Sequence, residues 1–552
     1  MPNNYATIAK NIIGNSIKSV VYVDDALAIP FEVSATEGEK QLSKEMFHSF
    51  YQHNCSIDMY KYVETEKWHT KAEYFFKGRD LFIVDWQLNK TEPEYAPTLE
   101  ILSAAIKKES LHFICIYTST KSEEFENIIY KLNSYFSPFV KDDVTKDMNQ
   151  ISKLLEDAGY EIKEVFTSEI LTLLKEMVIY PERAGESFQS INKAIAKNTS
   201  EEIAKQIKAV FASRYKNILL GFCSLGFMLN GEELNPNPSI YYQAKNFVKQ
   251  NFLIINHTII LIANKKDIQP SLLYEKYSEA VIKSSGNFLT LMGLEMRNHF
   301  KESSAFIGND IDSINELAFF HHQQNAKPSE AFYDFLKDLW KAQAASFLHN
   351  GNSTMTIFGA LDDYKETNKI NEQLVLFSSS SQANEQHLGK LNYYYNILST
   401  SRPKNDQLRF GDIFRILDEN FSPTADFLIC ITAHCDCLYP SDKINNMFYF
   451  VKGTKGNLAE ALKVGDTAFN SYILDEKNKV NIINWQDKPF TLYIPPSNNN
   501  IESKIPITIA DKKFVLGYHS TLKENYAQRI ANRGFTYPLH VGIFFSDTKN
   551  NT

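Results

Sequence analysis

The stretch Leu81-Phe82-Ile83-Val84-Asp85-Trp86-Gln87-Leu88 decides how the N-terminal part of the chain folds. Four apolar residues in a row read as a strand buried on both faces, the pattern of a parallel sheet covered by helices. A carboxylate inside such a strand is costly to bury, so Asp85 belongs at its carboxyl end. That edge is where open α/β sheets bind their ligands. Two further stretches have the same form: Val20-Val21-Tyr22-Val23 ends in Asp24-Asp25, and Phe113-Ile114-Cys115-Ile116-Tyr117 ends in Thr118-Ser119. Three strands that deliver Asp-Asp, Asp and Thr-Ser to one edge offer hard oxygen ligands to Mg²⁺ and hydroxyl donors to phosphoryl oxygens.

These strand-end residues resemble the receiver domain of response regulators. Asp85-Trp86-Gln87-Leu88 is similar to the phosphoacceptor turn, Asp24-Asp25 to the acidic pair, and Thr118 to the hydroxyl residue that ends the fourth strand. The resemblance implies an α/β doubly wound, parallel, five-stranded receiver with a lysine on its fifth strand. Lys141 has the usual receiver spacing from Thr118, but Pro138 interrupts its approach. Lys163 follows Gly159-Tyr160-Glu161-Ile162, with an aromatic residue three positions earlier, and is the expected partner; Glu164 stands where a proline usually follows. On this resemblance Asp25 and Asp85 ligate Mg²⁺, Asp24 helps through water, and the backbone carbonyl of Gln87 fills a position. Asp85, Thr118 and Lys163 carry the phosphoryl chemistry, and Tyr160 reports the state together with Thr118.

With 552 residues, the chain exceeds one ordinary hydrophobic core, so a multidomain protein is expected. A net charge of −8 argues against a general nucleic-acid binder. Six cysteines in so long a chain are no disulfide framework and fit a reducing, cytoplasmic setting. The longest apolar stretches, such as 252 to 263, are too short to span a bilayer.

Three regions are expected: a receiver-like domain over 1–180, a mainly helical domain over 181–400 and a β-rich domain over 401–552. Around Asp25 the surplus length over a minimal receiver falls at Pro30 to Lys44, with a second polar stretch at Glu64 to Glu73. Helices are predicted over 121–136, 146–158 and 168–178. In the middle region Thr199-Ser200-Glu201-Glu202 has capping-box spacing ahead of Ile203, Ile207, Val210 and Phe211, which form one apolar stripe. Asn235-Pro236-Asn237-Pro238 is a break, and the segment 252–262 reads as a hairpin or one buried strand. Phe332, Phe335, Leu336, Leu339 and Trp340 share a broad helical face, read as packing. The last region offers short strands at 411–414, 427–432, 447–451, 490–494 and 514–516, a small barrel or open sheet closed by a helix near 522–531.

His434-Cys435-Asp436-Cys437 carries residue types that zinc favours. A structural Zn²⁺ wants four ligands, no second cysteine pair exists, and His519 or His540 would have to complete the set. Buried thiols at a strand end are the preferred reading. No phosphate loop, dinucleotide-binding glycine motif or zinc-protease motif is present.

The expected function is therefore that of a phospho-accepting signalling protein, which takes phosphate from a histidine-kinase-like partner onto Asp85. Over its whole length the chain is similar to receiver proteins of two-component-like anti-phage systems of the Detocs type. That resemblance implies a regulator or phosphate sink and a second receiver or effector protein as partner; the apolar helical faces, Phe332 to Trp340 among them, are candidate docking surfaces for the kinase or for a second copy in a homodimer. No effector activity is identified in the sequence. The alternatives are a receiver-gated effector with a metal or thiol site at His434 to Cys437, and a scaffold with an inactive receiver.

Overall fold

In the computed structural model, residues 5–28, 33–63, 75–88, 94–107, 112–214, 218–232, 234–235, 244–256, 258–283, 288–304, 316–325, 332, 335–336, 355–377, 381–401, 407–464, 469–475, 478–496, 499, 504–509 and 512–536 are described. The stretch 64–73, Leu339, Trp340 and His540 lie outside them. The chain forms two compact units, Met1–Ala305 with Asn352–Asn368, and Phe306–Gly351 with Lys369–Thr552. The expected boundaries at 180 and 400 are thereby corrected. The first cuts through a continuous sheet, and the middle region is shared between the units.

The first unit is built on a seven-stranded sheet in the order β2-β1-β3-β4-β7-β6-β5. Its strands are β1 (Ser19–Asp24), β2 (Ser56–Lys61), β3 (Leu81–Val84), β4 (His112–Thr118), β5 (Ala244–Phe247), β6 (Phe252–Ile255) and β7 (Thr258–Asn264). β2, β1, β3, β4 and β7 run parallel, while β5 and β6 add an antiparallel edge. The five-stranded expectation is corrected on that point. The parallel order is that of a doubly wound fold, whose switch point lies between β1 and β3. β1, β3 and β7 are apolar along nearly all their length because helices cover both faces. On one face Val21, Val23, Val84, Ile114, Ile116 and Ile262 pack against helices Ala96–Ile106 and Phe125–Tyr135. On the other, the Tyr277 ring meets Phe113 edge-on at 5.4 Å, and its hydroxyl donates to the Ile114 carbonyl.

Between β4 and β7 the chain makes a long excursion. Helices over 141–229 gather a core of their own around Ile151, Leu155, Ile170, Leu174, Ile191, Ile207, Phe211 and Phe222. The stripe of Ile203, Ile207, Val210 and Phe211 lies on Glu201–Arg214 and turns into this core. A Cβ at Gly221 would sit within the van der Waals shell of the Phe211 ring, so glycine is what lets two helices meet there.

The second unit holds an eight-stranded antiparallel sheet, β12-β13-β11-β10-β9-β15-β14 with β8 paired to β15. Its strands are β8 (Ile397–Ser399), β9 (Asp412–Leu417), β10 (Pro423–Cys430), β11 (Met447–Gly456), β12 (Asn470–Leu474), β13 (Val480–Tyr493), β14 (Ile505–Ile509) and β15 (Lys512–Leu522). Helix Glu524–Thr536 packs Ala527, Ile530 and Ala531 onto one face with Ile413, Phe427, Ile429 and Trp485. The β-rich tail is thus an open sheet with a closing helix. Phe332 is buried and edge-on to Phe319, and Phe335 meets His322, so the described part of that helical face packs within this unit.

Candidate functional site

The site forms because parallel strands end together. β1 delivers Asp24 and Asp25, β3 delivers Asp85, β4 delivers Thr118, and β7 delivers Asn264 and Lys265 to one sheet edge. Asp24, Asp25 and Asp85 each offer a carboxylate oxygen, all within 4.8 Å of one another; among the described residues this is the grouping of metal-ligand side chains. Hard, anionic oxygens so placed suit Mg²⁺, which is held by few protein carboxylates and keeps several waters.

Asp24 is fully buried. Its Oδ2 accepts from Lys265 Nζ at 2.6 Å and from the Tyr22 hydroxyl at 2.5 Å, and its Oδ1 accepts from the Ala26 amide at 2.8 Å. Asp85 is buried as well, and its Oδ2 accepts from the same Lys265 Nζ at 2.5 Å. The Gln87 amide faces Asp85 Oδ1 at 3.4 Å, while the Gln87 side chain donates to Glu94. The Thr98 hydroxyl donates to the carbonyls of Asp85 and Trp86 at 2.9 and 3.1 Å, which ties the turn to helix Ala96–Ile106. The Trp86 indole stacks on Tyr95 with ring centroids 5.3 Å apart.

Charge follows from this packing. Burial lifts the Asp85 carboxyl most, Lys265 pulls it back, and Asp24 lifts it again, leaving it at about 6. Burial works against the Lys265 ammonium, but the two carboxylates outweigh it and hold its pKa above the ordinary value. Burial and the Asp24 charge push the Tyr22 phenol well upward, so it stays a donor.

Thr118 is buried at the end of β4, the strand between β3 and β7, at the same sheet edge. Its hydroxyl lies 3.0 Å from that of Thr120 and accepts from the Thr120 amide at 3.2 Å. The structure therefore brings Asp24, Asp25, Asp85 and Thr118 together, as the strand ends predict.

It does not bring Lys163 there. Residues Ile162–Val165 form a short helix in the inserted bundle, where Glu161 and Glu164 make a reciprocal capping box. Two capping carboxylates close a helical turn, and this overrides the strand reading. Tyr160 packs against the bundle core, away from the role given it. Lys141 begins helix Lys141–Asp157. The lysine of the site is Lys265, which the sequence reading missed. Its signal was present: Thr258-Ile259-Ile260-Leu261-Ile262-Ala263-Asn264-Lys265 is an apolar run ending in polar residues, like the other three. Ile262, not an aromatic residue, stands three positions before it, and Lys266 follows it.

The second candidate, His434 to Cys437, is a short helix. Cys437 is buried and donates to the Thr432 carbonyl at 3.4 Å, whereas Cys435 is exposed beside Asp436. His519 lies between the Ser520 hydroxyl and the Leu474 carbonyl at 2.9 and 3.1 Å. These partners account for the buried thiol and the imidazole, and among the described residues no metal grouping forms there. Among the described residues the zinc alternative is not supported.

Among the described residues, no helix is long and apolar enough to cross a membrane. No curated protein and no solved structure matches the chain. Residues 16–169 match the family model described as the response receiver domain, which spans β1, β3 and β4 with Asp24, Asp25, Asp85 and Thr118. The fold and the strand-end carboxylates agree with that match, and the N-terminal part of this chain carries a response receiver domain.

Proposed function

We propose that this protein is a phospho-accepting signalling protein whose acceptor is Asp85, with phosphate arriving from a phosphohistidine on a histidine-kinase-like partner. The observation that supports this reading most is the bridge from Lys265 Nζ to both Asp24 and Asp85, with Thr118 on the adjoining strand. A cation, a hydroxyl and three carboxylates at one dry edge are what an in-line phosphoryl transfer needs, since positioning and charge neutralisation supply most of its acceleration.

Asp25 and Asp85 would hold Mg²⁺, with Asp24 acting through water and Gln87 through its backbone carbonyl, and a bound ion would supply charge neutralisation for the phosphoryl oxygens. A carboxylate oxygen of Asp85 attacks phosphorus, the P–N bond to the donor imidazole breaks, and the imidazole leaves with the bonding pair. Lys265 then moves from the carboxylate it bridges to a phosphoryl oxygen, and the Thr118 hydroxyl donates to another. Attack of water on the acyl phosphate releases inorganic phosphate and restores the carboxylate.

The output we propose is regulatory. The chain acts as a regulator or phosphate sink in a two-component-like system, with anti-phage defence as its setting and a second receiver or effector as partner. The whole-chain resemblance supports this finer reading. So does the packing of the Cys437 thiol, buried and donating to the Thr432 carbonyl, in a segment that forms no metal grouping among the described residues.

The test uses the full chain with Mg²⁺ and phosphoramidate, a small phosphodonor. A bound phosphate that hydroxylamine releases marks an acyl phosphate and supports the reading. A hydroxylamine-resistant phosphate, or none, overturns it.

A further inference from the structure

The edge of the receiver sheet contains a side chain that no step above uses. Asn264 ends β7, pairs in register with Thr118 on β4 and is 5 % exposed. Its Oδ1 accepts from the Lys266 amide at 2.7 Å and the Asp267 amide at 3.3 Å, while its Nδ2 donates to the Thr120 carbonyl at 2.6 Å. Two N–H groups on one side and a carbonyl on the other fix the amide's orientation. One planar group thus closes the turn that carries Lys265 and fastens it to the turn that carries Thr118 and Thr120. The Lys265 amide, which donates to the Thr118 carbonyl at 2.8 Å, ends the same ladder.

We propose that Asn264 is the positioning residue of the phosphoryl site: it holds the Lys265 ammonium and the Thr118 hydroxyl at a fixed separation through one amide. The inference rests on the proposed phosphoacceptor role of the site. Thr118 and Lys265 approach phosphorus from different strands, β4 and β7. The loops beyond those strands are also joined by the Ser122 hydroxyl on Asp267 at 3.2 Å and the Tyr117 hydroxyl on the Ile268 carbonyl at 2.7 Å, but the Asn264 amide is the link that grips the residues flanking Lys265 and Thr118 themselves. A ladder alone fixes strand register. In the turn beyond the last pair, where Lys265 sits, the Asn264 side chain adds a direct hold on the Lys266 and Asp267 amides next to the lysine. A shift of about 1 Å in a group that contacts the reacting atoms can cost on the order of a hundredfold in rate.

Asn264→Ala removes both halves of the clamp. Asn264→Ser keeps an oxygen that accepts from the Lys266 amide, as serine turns do, but cannot reach the Thr120 carbonyl. Full-length wild type and both variants are compared with phosphoramidate as donor, measuring the maximal phosphorylation rate, the half-saturating donor concentration and Mg²⁺ affinity from Trp fluorescence. The expected result is a fall in maximal rate of roughly 10- to 100-fold for Asn264→Ala, with Asn264→Ser in between. Mg²⁺ affinity stays within about twofold in both, because Asn264 touches none of the three carboxylates. A maximal rate within twofold of wild type in a folded Asn264→Ala overturns the proposal, as does a Mg²⁺ affinity that falls in step with the rate. If Asn264→Ala does not fold, Asn264→Ser decides by the same two criteria. A wild type that takes no phosphate removes the functional reading and this inference together, whereas a phosphorylated wild type with unaffected variants removes this inference alone.

Discussion

Lys265 Nζ lies 2.5 Å from Asp85 Oδ2 and 2.6 Å from Asp24 Oδ2, so one ammonium ties together the ends of β1 and β3 from the end of β7. The three strands are not consecutive neighbours in the chain, and the inserted bundle separates β4 from β7 in sequence. The bridge is nonetheless made at hydrogen-bond distance because β7 lies beside β4 in parallel register, Asn264 opposite Thr118. The lysine thereby neutralises two buried carboxylates, and the proposed transfer requires it to change partner.

Loss of that lysine should hurt both fold and function. Lys265→Ala leaves Asp24 and Asp85 buried and facing each other, and breaking a buried pair from one side costs about 3–5 kcal/mol. Chemical denaturation of the metal-free protein should show a loss of that order, partly restored by Mg²⁺. Phosphorylation of Asp85 should drop at least tenfold. Lys163→Ala, on the exposed side of a bundle helix, should match wild type in both assays. The opposite pattern would return the role to Lys163.

How much of this was legible in the sequence follows from the same residues. Asp24, Asp25, Asp85 and Thr118 stand out because a buried parallel strand is an apolar run, and the first polar residues after it mark the sheet edge. Lys265 closes a run of the same form. It is hard to read because an ordinary crossover places the fifth strand soon after Thr118, and the helices over 141–229 have the amphipathic faces of crossover helices. Nothing local says that those faces pack on one another around Ile170, Ile191 and Phe222 instead of on the sheet. The segment Gly159 to Lys163 misled for a different reason. Glu161 and Glu164 cap each other, and two acids three residues apart start a helix where glycine and an aromatic residue suggest a strand. The antiparallel edge β5–β6 stayed hidden because β5, Ala244-Lys245-Asn246-Phe247, is too short and polar to announce a strand.

Asp85→Asn should stabilise the metal-free protein. The Asp85 carboxyl is lifted from 3.8 to about 6 on folding. Its contribution to stability is present below the unfolded value and is lost as the pH rises through about 6. At pH 7.5 the charged form is therefore a cost to the fold, and the amide removes it, a gain of about 1–3 kcal/mol. Denaturant melts of the two proteins should converge near pH 4 and separate above pH 6. Equal separation at every pH would mean that the Asp85 charge is not the source.

Magnesium should raise the midpoint of thermal unfolding through the carboxylates alone. A ligand at a hundred times its dissociation constant adds about 2.7 kcal/mol to a fold that alone binds it. Asp25→Ala should abolish the Mg²⁺-dependent part of the shift and leave the metal-free midpoint nearly unchanged, as Asp25 is only half-buried. A full Mg²⁺ shift in Asp25→Ala would place the ion elsewhere.

The inserted bundle should be damaged independently of the site. Gly221→Ala forces a methyl group against the Phe211 ring, and overpacking of this kind costs about 1–3 kcal/mol. Limited proteolysis should show faster cleavage within the bundle, with Mg²⁺ affinity unchanged. Loss of Mg²⁺ binding in step with cleavage would show that the site depends on bundle packing.

The most direct test of the central claim is the intact mass of wild type and Asp85→Asn after incubation with Mg²⁺ and phosphoramidate. Wild type should gain the mass of one phosphoryl group, and Asp85→Asn, folded and at least as stable, should gain none. A phosphoryl group on both proteins, or on neither, contradicts the assignment of Asp85 as the acceptor.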